Sequence, residues 1–165
     1  MKPVYDDLSP HGAMGKTIIG WSEYVDFPDW SISGILAKVD TGARTSALHV
    51  EDLEVLPGDQ VRFHVVTRSK GDGKWVEVTA PIVKWGRVRS STGHFTLRCF
   101  VRTPIRIGPV FKEIELSLVS RERMLYRMLL GRQALAKDFL VDVSKRRALG
   151  PRSKRKKLRK RNKSR

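Results

Sequence analysis

The chain has 165 residues, one cysteine and a formal net charge of +16 at pH 7. This length is typical of one domain with its own core, and a lone cysteine excludes an internal disulfide framework. No stretch reaches the ~18 apolar residues of a membrane helix, and residues 1–15 lack the apolar segment of a signal peptide. We therefore expect a cytoplasmic protein without a membrane partner.

The positive charge is concentrated at the C-terminus. Residues 145–165 hold 13 of the 33 Lys and Arg residues and no acid. The remaining 20 basic and 17 acidic residues give residues 1–144 a net charge of +3. We therefore expect three segments: an irregular N-terminal arm at 1–15, a folded domain at 16–149 and a disordered Lys/Arg-rich tail at 150–165.

Short strand-like runs dominate the folded part. In chain order the predicted strands are 17–25, 32–39, 61–67, 74–79, 95–102 and 110–119. The first two are expected to pair as a hairpin, and turn residues separate the others: Gly71, Asp72 and Gly73, then Pro104, Gly108 and Pro109. Residues 132–137 predict one helix, which Asp138 can extend. This pattern favours a mainly-β fold, a small barrel or sandwich.

The segment Asp40-Thr41-Gly42-Ala43 follows the strand-like run 35–39, so its carboxylate lies where a strand ends and a tight turn begins. Gly42 allows backbone or ligand to approach closely. An acid on such a turn can hold a water for attack on a carbonyl if a second carboxylate is present. The chain has one such turn, so the second acid would come from another copy. The alternative is an aspartate that only caps the turn.

The stretch from Lys38 to His49 resembles the active-site loop of retropepsin-like aspartic peptidases. More closely, it resembles the bacterial proteins called ATP-dependent zinc proteases, whose domain also occurs beside ATP-grasp ligases that glutamylate ribosomal protein. Residues 111–118 and 129–149 resemble the same family, so the resemblance covers roughly residues 15–149. It implies a closed β-barrel of the acid-protease type and an aspartic endopeptidase.

The resemblance assigns the catalytic role to Asp40, paired with its copy in a homodimer. Two carboxylates about 3 Å apart share one proton, so one activates water while the other donates to the substrate carbonyl. No metal or covalent intermediate is required. Thr41 would hydrogen-bond across the two-fold axis, and Gly42 and Ala43 would complete the active-site loop. The resemblance assigns support of this loop to Leu129, Leu130, Gly131 and Arg132.

The sequence departs from the viral retropepsins at Arg44, where those enzymes carry an acid that pairs with the later arginine. Arg44 and Arg132 are both cationic, so that pair cannot form. We expect Arg44, Thr45 and Ser46 to bind substrate, with Arg44 facing an acidic group such as a glutamate side chain. The alternative is an exposed arginine paired with a local acid. The candidate flap at 71–73 lacks the Gly-rich apolar tip of viral flaps.

The sequence favours a protein without a cofactor. Its histidines have neither i, i+4 helical spacing nor a His-Glu-x-x-His motif: His11, His49, His64 and His94. His49 is the weak candidate ligand for the alternative of a zinc peptidase. The chain has no Gly-x-x-x-x-Gly-Lys-Ser/Thr loop, so an ATP requirement would belong to a partner.

The tail carries ten basic residues among the last fifteen. Such a run binds RNA, and hence the ribosome, through its phosphates, without sequence specificity. The candidate contacts are Lys154, Arg155, Lys156, Lys157, Arg159, Lys160 and Arg161. The alternative is a solubilising extension. The favoured function is an endopeptidase acting on a protein or peptide substrate, either ribosome-associated or glutamate-rich; the rival is a non-catalytic RNA- or ribosome-binding barrel.

Overall fold

The computed structural model describes residues 11–12, 15–67, 74–120 and 125–151. The predicted turn at 71–73 and the tail contacts from Lys154 to Arg161 lie outside these ranges. The elements in chain order are β1 (His11–Gly12), β2 (Lys16–Gly20), β3 (Ser22–Phe27), a 3₁₀ turn (Pro28–Trp30), β4 (Ile32–Val39), β5 (Ser46–Leu56), β6 (Gln60–Val66), β7 (Trp75–Pro81), β8 (Lys84–Arg89), β9 (Phe95–Ile107), β10 (Val110–Val119), β11 (Met128–Leu130), α1 (Arg132–Leu135) and β12 (Phe139–Asp142).

Six strands form a closed ring in the order β10-β9-β3-β4-β11-β5, because β5 also pairs with β10. Strands β6 and β7 extend the sheet from β5, and β8 pairs with β9 outside the ring. A separate small sheet has the order β1-β2-β12. The prediction of a mainly-β fold with one short helix is confirmed. In the part of the chain that the structure describes, no helix has the length and apolarity to cross a lipid bilayer.

The core lies inside the ring and follows strand alternation. On β9 the side chains of Val101, Ile105 and Ile107 are buried, while Arg102 and Arg106 between them are exposed. Buried residues of β3, β4, β5, β10 and β11 belong to the same cluster, and residues of β2, β6, β7, α1 and β12 extend it beyond the ring. Each large apolar side chain buried in this way contributes roughly 1.5–3 kcal/mol. This packing fixes the strand ends from which the site is built.

The prediction that residues 17–25 pair with residues 32–39 as a hairpin is correct only for the second part of the first run. The first run is two strands, because the chain leaves the small sheet at Trp21 and enters the ring as β3. A Cβ on Gly20 would lie 2.5 Å from the carbonyl oxygen of Lys145, so only glycine fits beside this C-terminal segment. Strand β3 does pair antiparallel with β4, as predicted.

Other element boundaries also differ from the prediction. Strand β9 continues through Pro104 to Ile107, although Pro104 was predicted to lie in a connection. Proline is tolerated in a strand where its missing N–H is not needed for a hydrogen bond to a neighbouring strand. Pro104 meets this condition on the β3 side, because β3 pairs with β9 only at Arg106. Helix α1 ends at Leu135, because Ala136 has an extended ψ of 142°, and Lys137 then adopts a left-handed conformation with φ of 74°. Strands β5, β8, β11 and β12 were not predicted, whereas β10 has the predicted bounds.

His64 joins the outer strands β5, β6 and β7. Its Nδ1 lies 2.9 Å from the carboxylate of Asp52 and its Nε2 3.2 Å from that of Glu77. The Asp52 hydrogen bond, followed by that of Glu77, raises the pKa of His64 above its ordinary 6.5. Because the folded pKa is the higher one, this stabilisation is fully present below about pH 6.5 and is lost as the pH rises through the raised pKa.

Candidate active site

Asp40 lies at the junction of three strands. Strand β4 ends at Val39, the chain turns through 40–45, and β5 begins at Ser46. Strand β11 lies between the two, parallel to β4 and antiparallel to β5. The backbone N–H of Asp40 donates to the carbonyl of Leu130 at 2.9 Å. The position of the acid is therefore set by the ring and not by the loop alone.

Hydrogen bonds within the loop orient the Asp40 carboxylate. The N–H of Gly42 donates to Oδ1 of Asp40 at 3.1 Å, and the N–H of Ala43 donates to its carbonyl oxygen at 3.2 Å. Arg132 donates from Nη1 to the carbonyl oxygens of Thr41 and Gly42, each at 3.0 Å. Arg132 thus binds the loop backbone in place of an acidic partner.

Gly131 and Ser46 hold the loop from behind. A Cβ on Gly131 would collide with the carbonyl oxygen of Thr45 and lie 2.5 Å from its carbonyl carbon. The N–H of Gly131 donates to Oγ of Ser46 at 3.1 Å, and Ser117 donates from Oγ to the carbonyl of Ser46 at 3.2 Å. Ser46, predicted to bind substrate, is instead buried behind the loop and supports it.

A cleft of about 530 Å³ opens beside Asp40. Arg44 and Thr45, the expected substrate contacts, line it, and Leu129, expected only as support, lines it too. The other walls come from β5, β8, β9 and the ends of β10 and β11. Among the residues that the structure describes, Asp40 is the one carboxylate in this lining.

The cleft is strongly basic. Its cationic lining residues are Arg44, Lys84, Arg87, Arg89, Arg98 and Arg127. One of these charges is balanced locally, because Lys84 forms an ion pair with Glu115 on β10. The sequence prediction missed all but Arg44, because the others join the site only through strand pairing. One sequence feature does indicate a basic surface here: no Asp or Glu occurs between Glu77 and Glu113.

His49 and Cys99 are the other chemically reactive groups nearby. His49 lines the cleft, is buried, and has its Nε2 3.5 Å from the carboxylate of Glu51. His49 and Glu51 supply only two potential ligands, fewer than a zinc site needs. The described residues contain no cluster of three metal-ligating side chains. The described residues around the cleft therefore do not fit zinc. Cys99 faces the core, and burial raises the pKa of its thiol, so it does not fit a nucleophile.

A second recess of about 610 Å³ shares Asp40 and Leu129 with the cleft. It is lined mainly by Lys38, Thr41, Leu125 and Tyr126 and includes no carboxylate other than Asp40 among the described residues. Leu125 is 85% exposed. Asp40 thus stands between a basic cleft and a recess with an uncovered apolar side chain.

Comparisons with known proteins agree with this geometry. A family model described as RimB-like, retropepsin-like aspartic endopeptidase RimB, matches residues 18–151. A probable alpha-L-glutamate ligase of Desulfotalea psychrophila is 33% identical over 144 residues, 86% of this chain and 31% of that protein. One from Shewanella halifaxensis is 34% identical over 140 residues, 82% of this chain and 30% of that protein. The chain therefore spans about a third of these relatives.

One solved structure is also similar over most of the chain. It is the crystal structure of Lpg0085, a Legionella pneumophila protein of unknown function, with a TM-score of 0.67 and 27% identity. The match covers 81% of this chain and 98% of that one. The fold is thus shared with a solved chain that the match covers almost entirely.

Proposed function

The chain belongs to the RimB-like family of retropepsin-like aspartic endopeptidases, and on that premise we propose that it hydrolyses peptide bonds with water activated by a pair of Asp40 carboxylates. The observation that carries the proposal is the placement of Asp40. Its backbone is fixed to β11, its carboxylate is oriented by Gly42, and it borders a cleft wide enough for a peptide. The access of this acid to the cleft supports a role in ligand chemistry beyond capping the turn.

The second carboxylate belongs to another copy of the chain. Within the described residues Asp40 is alone among acids in both the cleft and the neighbouring recess. The exposed side chain of Leu125 beside Tyr126 and Thr41 offers that copy an apolar surface to cover. A two-fold axis beside Asp40 brings the two loops together, because a symmetric dimer pairs each patch with itself.

The reaction follows from the shared proton of this pair. The ionised carboxylate takes a proton from water, whose oxygen bonds to the peptide carbon while the protonated carboxyl donates to the carbonyl oxygen. The tetrahedral intermediate then collapses: the C–N bond breaks, the proton taken from water passes to the departing amine, and the other carboxylate takes a proton back from a hydroxyl of the intermediate, which restores the shared proton. The loop hydrogen bonds from Gly42 and Arg132 keep the carboxylate in place during these transfers.

The charge of the cleft selects an acidic peptide. Six basic side chains line it against one acid, so a glutamate-rich segment gains charge-assisted hydrogen bonds that a neutral peptide lacks. The names of the curated relatives support this choice, because they are probable glutamate ligases that contain a similar domain. We place the activity in the cytoplasm, and we assign to the basic tail a non-specific contact with RNA, including that of the ribosome.

Arg44→Ala is expected to lower kcat/KM about tenfold on a glutamate-rich peptide and less than about twofold on a neutral one. The reason is that Arg44 borders the cleft next to the Asp40 loop, where a side-chain carboxylate of the substrate would lie. Cleavage of two fluorogenic peptides of equal length measures both values. Arg62→Ala is the matched control, because it removes an arginine of β6 that lies outside the cleft lining and is paired with Glu54 of β5. Equal losses on both peptides would reject acidic selection.

A further inference from the structure

Strands β8 and β9 form a hairpin that extends past the ring. Residues 95–98 of β9 pair with β8 alone, because the pairing with β10 reaches only to Cys99. Across the hairpin Trp85 faces Cys99, Arg87 faces Leu97 and Arg89 faces Phe95. Opposed residues of an antiparallel pair share a face. We call the resulting row on one face the hairpin stripe: Trp85, Arg87, Arg89, Phe95 and Leu97.

The hairpin stripe is apolar, aromatic and open to solvent. Trp85 is 46% exposed, Phe95 56% and Leu97 66%. These three side chains are not part of the cleft lining, whereas Lys84, Gly86, Arg98 and Phe100, which alternate with the stripe, are. The stripe therefore borders the proposed peptide site: its three apolar side chains lie outside the cleft lining, whereas Arg87 and Arg89 also line the cleft.

Two arginines and the absence of acids give the stripe its charge. The guanidinium carbons of Arg87 and Arg89 lie 4.8 and 5.9 Å from the centre of the Phe95 ring. The sequence from 83 to 99 contains Lys and Arg but no Asp or Glu. Phe95 thus carries two guanidinium groups over its ring, and in the described residues the acid that pairs with the hairpin at Lys84 is Glu115 of β10, which does not pair with these two arginines.

From this arrangement we infer that the hairpin stripe binds single-stranded nucleic acid. Bases stack on Trp85 and Phe95, and phosphates between them bind Arg87 and Arg89. Stacking needs only an exposed aromatic face, so the site tolerates different bases. This contact is made by the folded domain and does not depend on peptidase activity. It adds to the proposed function a docking surface for RNA or single-stranded DNA beside the substrate cleft.

Charge and shape disfavour other partners. A second copy placed symmetrically on the stripe would bring Arg87 and Arg89 against their own copies, which costs free energy. An acidic peptide would neutralise the arginines, but its carboxylates cannot stack on the rings of Trp85 and Phe95. The cleft is already the proposed binding site for such a peptide. Nucleic acid supplies negative charge and flat rings together.

The test uses the full chain and fluorescein-labelled oligouridylate or oligodeoxythymidylate of about ten nucleotides, in roughly 0.3 M NaCl to weaken purely electrostatic binding by the tail. Trp85→Ala/Phe95→Ala is expected to weaken binding of one or both oligonucleotides at least tenfold by fluorescence anisotropy. Trp75→Ala/Phe111→Ala is the matched control, because both side chains are 57% exposed and lie outside the stripe. Circular dichroism melts confirm that each variant is folded.

Ring-dependent loss with both oligonucleotides indicates contact through bases and phosphates, and loss with oligouridylate alone indicates an additional contact to the 2′-hydroxyl; either result supports the stripe. An unchanged affinity in the Trp85→Ala/Phe95→Ala variant, or an equal loss in the control variant, overturns it. A ring-dependent loss seen with labelled polyglutamate and not with either oligonucleotide also overturns it, in favour of an acidic polypeptide.

Discussion

Asp40→Asn is expected to lower kcat on an acidic peptide about a thousandfold while leaving the fold intact. The amide has nearly the same size and keeps an oxygen to accept the hydrogen bond from Gly42, but it can neither take a proton from water nor share one. Single-turnover cleavage of a fluorogenic peptide measures the loss, and a thermal melt measures the stability.

Asp29→Asn is the matched control for this change. Asp29 is an exposed aspartate in the 3₁₀ turn, away from the cleft, so its substitution changes the net charge equally without touching the site. Full activity in the Asp40→Asn variant would show that Asp40 only shapes the turn. Hydrolysis would then use other groups, whereas an absence of cleavage by the wild-type chain itself would indicate a binding module, the rival function that the sequence also allowed.

Gly131→Ala is expected to destabilise the protein by about 3 kcal/mol. The added methyl group would collide with the backbone of Thr45, which cannot move aside as a flexible side chain would. The clash lies between the loop after Asp40 and the turn after β11, so peptidase activity is expected to fall together with stability. Urea unfolding followed by intrinsic tryptophan fluorescence gives the free energy of unfolding.

Gly58→Ala separates the steric effect from the general cost of replacing a glycine. Gly58 has φ of 77° and no atom near the position of an added Cβ, so alanine there brings only backbone strain of about 1–2 kcal/mol. A loss in Gly131→Ala no larger than in Gly58→Ala would contradict the close approach to Thr45.

The fold class could be predicted from the sequence because strand alternation is local. Strand β10 has the predicted bounds, and the pairing of β3 with β4 follows from the adjacent hairpin. Strand β11 could not be predicted, because three residues carry too little pattern. Its strand geometry comes from insertion between β4 and β5, about ninety residues away in sequence. The break at Trp21 likewise depends on the distant segment at Lys145.

The candidate site was predicted only where its residues are contiguous. The loop from Asp40 to Thr45 was found, since its turn residues and the strand before it are neighbours in sequence. The basic walls were missed, because Lys84, Arg98 and Arg127 reach the cleft through tertiary packing. Ser46 was assigned to substrate by adjacency, but strand alternation at the start of β5 turns its side chain toward Gly131. Proximity along the chain does not determine which face a residue occupies.

A subunit-mixing experiment tests the central claim, that each active site takes one Asp40 from each of two chains. Wild-type and Asp40→Asn chains are unfolded, mixed in equal amounts and refolded together. The peptidase activity of the mixture is compared with that of wild-type chains alone at the same total chain concentration. Random pairing in a dimer that needs both acids leaves about a quarter of the activity, because only wild-type pairs are competent. A residual activity of about one half would show that each chain works alone, which would contradict the shared site.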